Sequence, residues 1–338
     1  MHAQLKLKAD SKLIVGVGSA LVDILTHENE AFLEQTGAVK GGMTLVEKDF
    51  IEAALARSSG ERKIVPGGSA CNTAVGVGRL GGRARFVGKC GNGEWGRFFR
   101  EDLLRQNVEP ALFDSDSPTG RVLSIITPDA QRSMFTYLGA SSETQPAELT
   151  NGCFDNAAVV HIEGYLLFNP ELMLAALRAA RAAGALISLD LASFTVIEES
   201  RDLLDRIVNE YVDVVIANED EARTFTGFRD EQQSLAVLAQ KADIAVVKLG
   251  ERGSTIAHQG QMLHIDPLGS GKVEDTTGAG DLWASGFLYG LVNGHPLEQC
   301  GRIGSACGYE VCRVIGAAIP EEGWRRIRNM LEESQNGD

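Results

Sequence analysis

Short runs of β-branched and aliphatic residues recur along this chain, each followed by a longer segment with apolar residues at helical spacing. That alternation restricts the fold more than any single motif. Leu13–Val17, Ala158–Ile162, Leu186–Leu189, Val212–Ala217 and Ile244–Lys248 predict buried strands. Between them, Glu171–Ala183, Leu203–Tyr211 and Gln233–Lys241 predict helices, with Gly184 as a C-terminal cap and Asp190 as a polar residue ending a strand. Repeated strand–helix–strand units require a mainly parallel sheet covered by helices on both faces, an α/β fold. Two stretches break the rhythm, about 36–68 and 111–140. The second carries Val122–Thr127 and Ser133–Tyr137, joined at Pro128-Asp129-Ala130. Both are expected to form a small β-lid on one domain spanning residues 1–338, with Ser334 to Asp338 frayed.

Charge narrows the partners. Of 338 residues, 46 are acidic and 32 basic, a net charge of −14, which opposes binding to a phosphate backbone. The clusters Arg83/Arg85 and Arg325/Arg326/Arg328 read as solvated surface. Lys6, Lys8 and Lys12 precede Leu13–Val17, an apolar run too short for a signal-peptide core, and no stretch reaches the ~20 apolar residues of a membrane span. The sequence therefore predicts a soluble cytoplasmic protein, monomer or homodimer, acting on a small molecule, with neither nucleic acid nor membrane as partner. Cysteines at 71, 90, 153, 300, 307 and 312 include no C-x-x-C pair and read as buried free thiols. The six histidines show no zinc-ligand spacing.

In an open parallel sheet, ligands bind beyond the carboxyl ends of the strands. Asp23, Glu163, Asp190, Asn218, Lys248 and Asp275 follow strands and are candidates on that ground. The strongest motif is Asp275-Thr276-Thr277-Gly278-Ala279-Gly280-Asp281, entering the apolar helical pattern Leu282 to Val292. Gly278 and Gly280 permit a sharp turn and close approach of a ligand to the backbone. The free N–H groups of the first helical turn then form an anion hole where the helix dipole favours a phosphoryl group. Asp281 is placed to accept a proton from an attacking hydroxyl. A second segment, Gly67-Gly68-Ser69-Ala70-Cys71-Asn72, lets a hydroxylated substrate lie against backbone, with Asn72 as donor and acceptor.

Two patterns are decoys. Gly76-Val-Gly78-Arg-Leu-Gly81 satisfies G-x-G-x-x-G but lies inside a helical run, whereas a dinucleotide fingerprint sits between strand and helix. Gly269-Ser-Gly271-Lys272 lacks both the upstream Gly and the following Ser or Thr of a phosphate loop. It reads as a flexible connection. Asn218-Glu219-Asp220-Glu221 serves equally as an N-cap with acids in a first turn and as a site.

Together the two glycine-rich segments resemble the paired signatures of the ribokinase/PfkB carbohydrate kinase family, the first over Gly67 to Gly91 and the second over Asp275 to Leu288. The resemblance implies a ribokinase-like fold and ATP-dependent phosphoryl transfer. Asp281 matches the family's catalytic base, and Gly278, Ala279 and Gly280 its anion hole. Asp23 looks like the aspartate that binds sugar hydroxyls, with Gly67, Gly68 and Asn72 as companions. Asn218 and Glu221 fit the N-x-x-E motif that organises Mg²⁺, through water at Glu221, and the ATP phosphates. Lys248, Gly250 and Gly253 resemble the nucleotide-binding turn, joined by Thr276. Asp275 and Thr277 resemble ligands of K⁺ in members that use it.

Within the family, adenosine kinases are most similar, through Leu189–Phe194, Asn218–Ala222 and His295–Cys300, and through Arg132, which resembles their arginine near the transferred phosphate. Ser19 stands where Gly-Asn-x-x-x-Asp has asparagine, and Glu163 where sugar kinases place a hydroxyl-binding glutamate. Tyr165 and Phe168 are the aromatic candidates for stacking a purine. The resemblance thus implies a nucleoside kinase, adenosine first, with a kinase of ribose or fructose as the alternative. A binding protein without catalysis would keep Asp23 and lose Asp281.

Overall fold

The computed structural model describes residues 11–37, 40, 42–129, 132–269 and 271–336, the side chains of 334–336 excepted. Lys6, Lys8, Ala130 of the expected turn, Ser270, Gly337 and Asp338 lie outside the described residues. Its strands, in chain order, are β1 Leu13–Val17, β2 Leu21–His27, β3 Met43–Leu45, β4 Arg62–Gly67, β5 Arg83–Gly91, β6 Val108–Ser115 and β7 Thr119–Ile126. There follow β8 Arg132–Gly139, β9 Ala157–Glu163, β10 Leu186–Asp190, β11 Val214–Asn218, β12 Ile244–Lys248, β13 Ser254–His258 and β14 Gln261–Ile265.

Nine of these form a sheet in the order β14-β13-β12-β11-β10-β9-β1-β5-β6. It is parallel from β12 to β6, with an antiparallel edge at β13 and β14. The central strands are buried along their length because helices cover both faces, which is why they read as apolar runs and not as alternations. Pro170–Ala182 and Phe194–Tyr211 pack on one face; Ser69–Arg79 and Ala279–Val292 pack on the other. The second of these helices starts nine residues before Leu203, at Phe194, with a kink at Ser200. Its Ser193 cap, whose side chain accepts the Val196 N–H, supplies the earlier start.

The remaining strands form a five-stranded sheet ordered β3-β8-β7-β2-β4. The hairpin of β7 and β8 is antiparallel as its sequence suggests. Two details differ from expectation. Residues 111–115 belong to β6, which pairs with β5 at the edge of the large sheet, so only 119–139 of the second irregular stretch enter the small one. And β2, which follows β1 after three residues, lies between β4 and β7 in the small sheet. One face of this sheet is packed under the helices Glu30–Thr36 and Lys48–Arg57 by Ile24, Leu123, Ile125 and Phe135. The other face looks toward the carboxyl edge of the large sheet.

The helix Glu321–Asn336 continues through Ser334, where fraying was expected. Arg85 is not a solvated charge: its guanidinium donates to the carbonyls of Cys153 and Asp155 and pairs with Glu109. Arg326 stays exposed, as expected, while binding both carboxylate oxygens of Glu310. The six cysteines are free thiols, with Cys312 alone partly exposed. Gly269 and Gly271 lie against the Tyr309 ring, so packing and not a nucleotide accounts for that glycine pair.

The G-x-G-x-x-G segment has a packing explanation as well. Gly76 and Gly78 are inside the helix Ser69–Arg79, and a Cβ at Gly76 would overlap Ser285, reaching 2.5 Å from its Cβ. Gly76→Val is therefore expected to lower stability by about 1–3 kcal/mol despite valine's better helix propensity than glycine's. Urea unfolding of the variant beside the parent measures it; an unchanged midpoint would mean that the two helices can separate freely.

Candidate active site

A cavity of about 1040 Å³ lies between the carboxyl edge of the large sheet and the inner face of the small one. Both glycine-rich segments open into it. Gly278 adopts a left-handed backbone (φ +71°) as N-cap of the helix Ala279–Val292. The Ala279 N–H turns back onto the Thr276 carbonyl at 3.1 Å. The N–H groups of Gly278, Gly280 and Asp281 have no protein acceptor among the described residues. Of the residues expected to form an anion hole, Gly278 and Gly280, with Asp281, present unpaired amides, whereas the Ala279 amide is already satisfied.

Asp281 is fixed from across the chain. One carboxylate oxygen accepts from the Ser69 hydroxyl at 2.8 Å and the other from the Asn72 side-chain amide at 2.9 Å. Gly68 delivers these residues: its φ is +101°, and a Cβ there would overlap the Ser19 carbonyl. Asp275 does not line the cavity. Its carboxylate accepts from the Thr277 N–H and hydroxyl and from the Gly316 N–H, so it braces the turn that Thr276 and Thr277 make at the cavity wall.

On the lid side, Asp23 lies within β2, opposite Val122 of β7, and not in a turn after the first strand. Its carboxylate has no hydrogen-bond donor among the described residues, and Gly67 beside it leaves no room for a Cβ. Gly67 itself is outside the cavity lining. Glu163, ending β9, is buried and accepts the Ser19 N–H at 2.8 Å and the Ala70 N–H at 3.1 Å, joining the two substrate-side loops. Arg132 opens β8, 4.0 Å from Asp275.

On the other side, Asn218 and Glu221 form a reciprocal capping box, with Glu221 accepting the Asn218 N–H at 2.8 Å. Both also line the cavity, so the cap and the site coincide. Lys248 pairs with Asp190 at 2.9 Å. Gly250 and Gly253 do not reach the cavity; Gly253 (φ +85°) closes the turn from β12 to β13, where a Cβ would overlap the Ile265 carbonyl at the end of β14. Sequence reasoning missed Ser69 and also His161, buried between Ser188 and Thr73. The Thr73 hydroxyl in turn donates to the Asp281 carbonyl. A polar residue inside an apolar strand was the signal for His161. Among the described residues no three His, Cys, Asp or Glu gather as a metal-ligand set, and no helix is long and apolar enough to cross a membrane.

A family model described as pfkB family carbohydrate kinase matches residues 39–323. The chain belongs to that family. A probable fructokinase-4 of Arabidopsis thaliana is 30% identical over 290 residues, 79% of this chain and 87% of that protein. The solved adenosine kinase of Sinorhizobium meliloti superposes with a TM-score of 0.86 at 32% identity, covering 96% of this chain and all of that one. A probable sugar kinase from Rhizobium etli gives a TM-score of 0.87, also at 32% identity, over 96% and 98% of the two chains. PfkB-family kinases use ATP to phosphorylate hydroxyl groups. The ribokinase-like α/β architecture agrees with the sequence reading.

In this PfkB-family cavity carboxyl groups outnumber cations. Asp23, Glu163, Glu171, Asp190, Glu221 and Asp281 line it against Arg132 and Lys248. Burial pushes Asp23 up to about 7, opposed by Arg132 and assisted by Asp281. Burial likewise pushes Glu163 to about 7 against the Ala70 and Ser19 N–H groups, and Glu221 to about 7, with Asp190 adding to it. An acid whose folded pKa lies above its unfolded value contributes stability that is complete below the unfolded pKa and lost as pH rises through the folded one. Asp23→Asn should therefore match the parent near pH 4, close to the ordinary aspartate pKa of ~3.9. At pH 8, without ligand, it should be more stable by about 1–3 kcal/mol. Melting curves across this range test the sign; a variant less stable at pH 8 would mean that the Asp23 carboxylate is favourably paired.

Proposed function

We propose that this kinase transfers the γ-phosphoryl group of ATP to the primary hydroxyl of a nucleoside, adenosine first. One observation carries the nucleoside reading: the lid presents uncovered apolar side chains to the cavity. Met43 and Leu45 of β3 are 44% and 58% exposed, and Met134 and Leu138 of β8 line the same wall. Exposed apolar surface inside a cleft fits an apolar ligand face. A purine has two such faces; a free sugar carries hydroxyls on every side. Tyr165 and Phe168 line the cavity as well, the latter 50% exposed and available to stack. A kinase of free sugars is the second reading, supported by Glu163 at the cavity wall and by the fructokinase relative.

In this mechanism Asp23, lacking protein donors, accepts ring hydroxyls of the substrate. Asp281 takes the proton of the primary hydroxyl, while the N–H groups of Gly280 and Asp281 hold the phosphoryl group as its charge spreads over the equatorial oxygens. Each Glu221 oxygen accepts one Asn218 N–H and keeps a lone pair, an oxygen-only donor suited to water-mediated Mg²⁺. Bound Mg²⁺ would neutralise charge on the ATP phosphates. Asp275 and Thr277 satisfy each other, and the mechanism assigns them to the turn and not to K⁺. Closure of the lid excludes the water that would hydrolyse ATP.

ADP release measured with adenosine, ribose and fructose is expected to give a kcat/KM for adenosine about 10²-fold or more above fructose, as buried polar groups left unpaired discriminate strongly. Faster turnover of fructose would transfer the assignment to the sugar reading. Asp281→Asn is expected to reduce kcat by at least ~10²-fold with substrate affinities near normal, as for loss of a general base. Its melting temperature should hold or rise, because burial of the carboxylate is unfavourable. A folded variant retaining over about a tenth of the parental single-turnover rate would reduce Asp281 to a structural role.

A further inference from the structure

Lys248 ends β12 at the carboxyl edge of the sheet and lines the cavity. Its ammonium is 2.9 Å from Asp190, and a Cβ placed on Gly280 would be only 2.8 Å from its Nζ. The charge is therefore held against the first turn of the helix Ala279–Val292, beside the amides that form the anion hole. Positive charge at a helix N-terminus is the unfavourable arrangement. The unpaired amides of Gly280 and Asp281 and an ammonium beside Gly280 make sense together if an anion completes them. Asp190 is the only protein acceptor of the ammonium among the described residues, so N–H groups remain for a ligand in the cavity.

Asp190 is itself immobilised. Its second oxygen accepts the Ala192 N–H at 3.0 Å, and Ala192 holds a left-handed backbone (φ +67°) that is uncommon for alanine. The side chains of Lys248 and Asp190 are 14% and 7% exposed. Burial alone would drive the lysine toward neutrality, but Asp190 and Glu221 hold its pKa above the usual value, so it remains charged.

We propose that Lys248 is a catalytic residue: its ammonium, positioned by Asp190, contacts the phosphoryl group in transit at the helix N-terminus and neutralises its developing charge. This rests on the phosphoryl-transfer reading above but not on the identity of the acceptor. In the step, the acceptor oxygen bonds to the γ-phosphorus, the bond from that phosphorus to the ADP oxygen breaks, and the hydroxyl proton passes to Asp281. Lys248 keeps its protons throughout. Asp190 is a positioning residue.

The competing explanation is a buried ion pair that only stabilises the fold. Removing one partner of such a pair leaves an uncompensated charge, whereas removing both need not destabilise. The test compares the full-length parent with Lys248→Met, Asp190→Asn and the double variant, by single-turnover transfer and melting. Lys248→Met should be slower by about 10²–10³-fold, as for loss of one donor to a developing anion, and should melt lower. Asp190→Asn, which keeps the ammonium, should lose less rate. The double variant should regain the melting temperature without the rate; recovery to within about threefold of the parental rate would overturn the proposal. Binding gives a second readout: Lys248→Met should weaken β,γ-imido-ATP at least ~10-fold more than ADP, and equal weakening would also overturn it. If the parent phosphorylates none of the acceptors, the nucleoside reading fails, while the analogue-to-ADP ratio still decides the role of Lys248.

Discussion

The carboxylate of Asp281 is shared between Ser69 and Asn72, and through that contact the two glycine-rich segments, 212 positions apart at Ser69, become one site. The approach it requires propagates into the packing. The helix Ala279–Val292 lies so near Ser69–Arg79 that Gly76 has no space for a methyl beside Ser285. On its other flank, Gly286 faces the Ile303 carbonyl at 2.6 Å from a notional Cβ, and Gly304 faces Trp283. Glycines on both sides clamp the helix at short range. Its N-terminus, and with it Asp281 and the unpaired amides beside it, is set by rigid elements and not by a loop, the condition a site needs to hold bound groups in one geometry.

What the sequence made legible was local. Asp275 to Asp281 are consecutive, and their chemistry follows from a turn entering a helix. Asn218 and Glu221 are three apart, the spacing of a capping box, and the structure has that box at the cavity wall. What was hidden depends on pairing over distance. Asp23 stands as a charged residue among Leu21, Val22, Ile24 and Leu25, and nothing nearby says that this run leaves the large sheet to lie between β4 and β7. Lys248 and Asp190 were each visible as polar residues after strands, but their contact depends on the order of β10, β11 and β12. Gly250 and Gly253 show the opposite error. A glycine forced into a left-handed turn looks the same in sequence whether a ligand or a neighbouring strand demands it, and at Gly253 the demand comes from Ile265.

The small sheet divides its labour by the period of two. Along β7, Leu123 and Ile125 point into the cluster under the lid helices, while Val122 and Ser124 line the cavity. Along β8, Phe135 packs inward with Phe50 at 4.7 Å between ring centroids, and Arg132, Met134, Thr136 and Leu138 line the cavity. The cavity face therefore carries both charge, at Asp23 and Arg132, and apolar surface, at Met43, Leu45 and Leu138. A ligand with polar groups and an apolar face matches that mixture.

The electrostatics of Asp281 depend on the same architecture. A carboxylate at its ordinary pKa is a weak base, and a general base works best when its pKa approaches the working pH. Burial raises the pKa of Asp281, and the neighbouring Asp190 charge raises it further. Taken alone, these effects would strengthen the base at the cost of leaving it protonated. The hydrogen bonds from Asn72 and Ser69 oppose them by stabilising the ionised form, as does the charge of Lys248. Ser69 and Asn72 thus hold the carboxylate in one orientation at the cavity wall and restrain the rise in its proton affinity. Orientation and basicity are set by one pair of contacts, so a change at either residue alters both together.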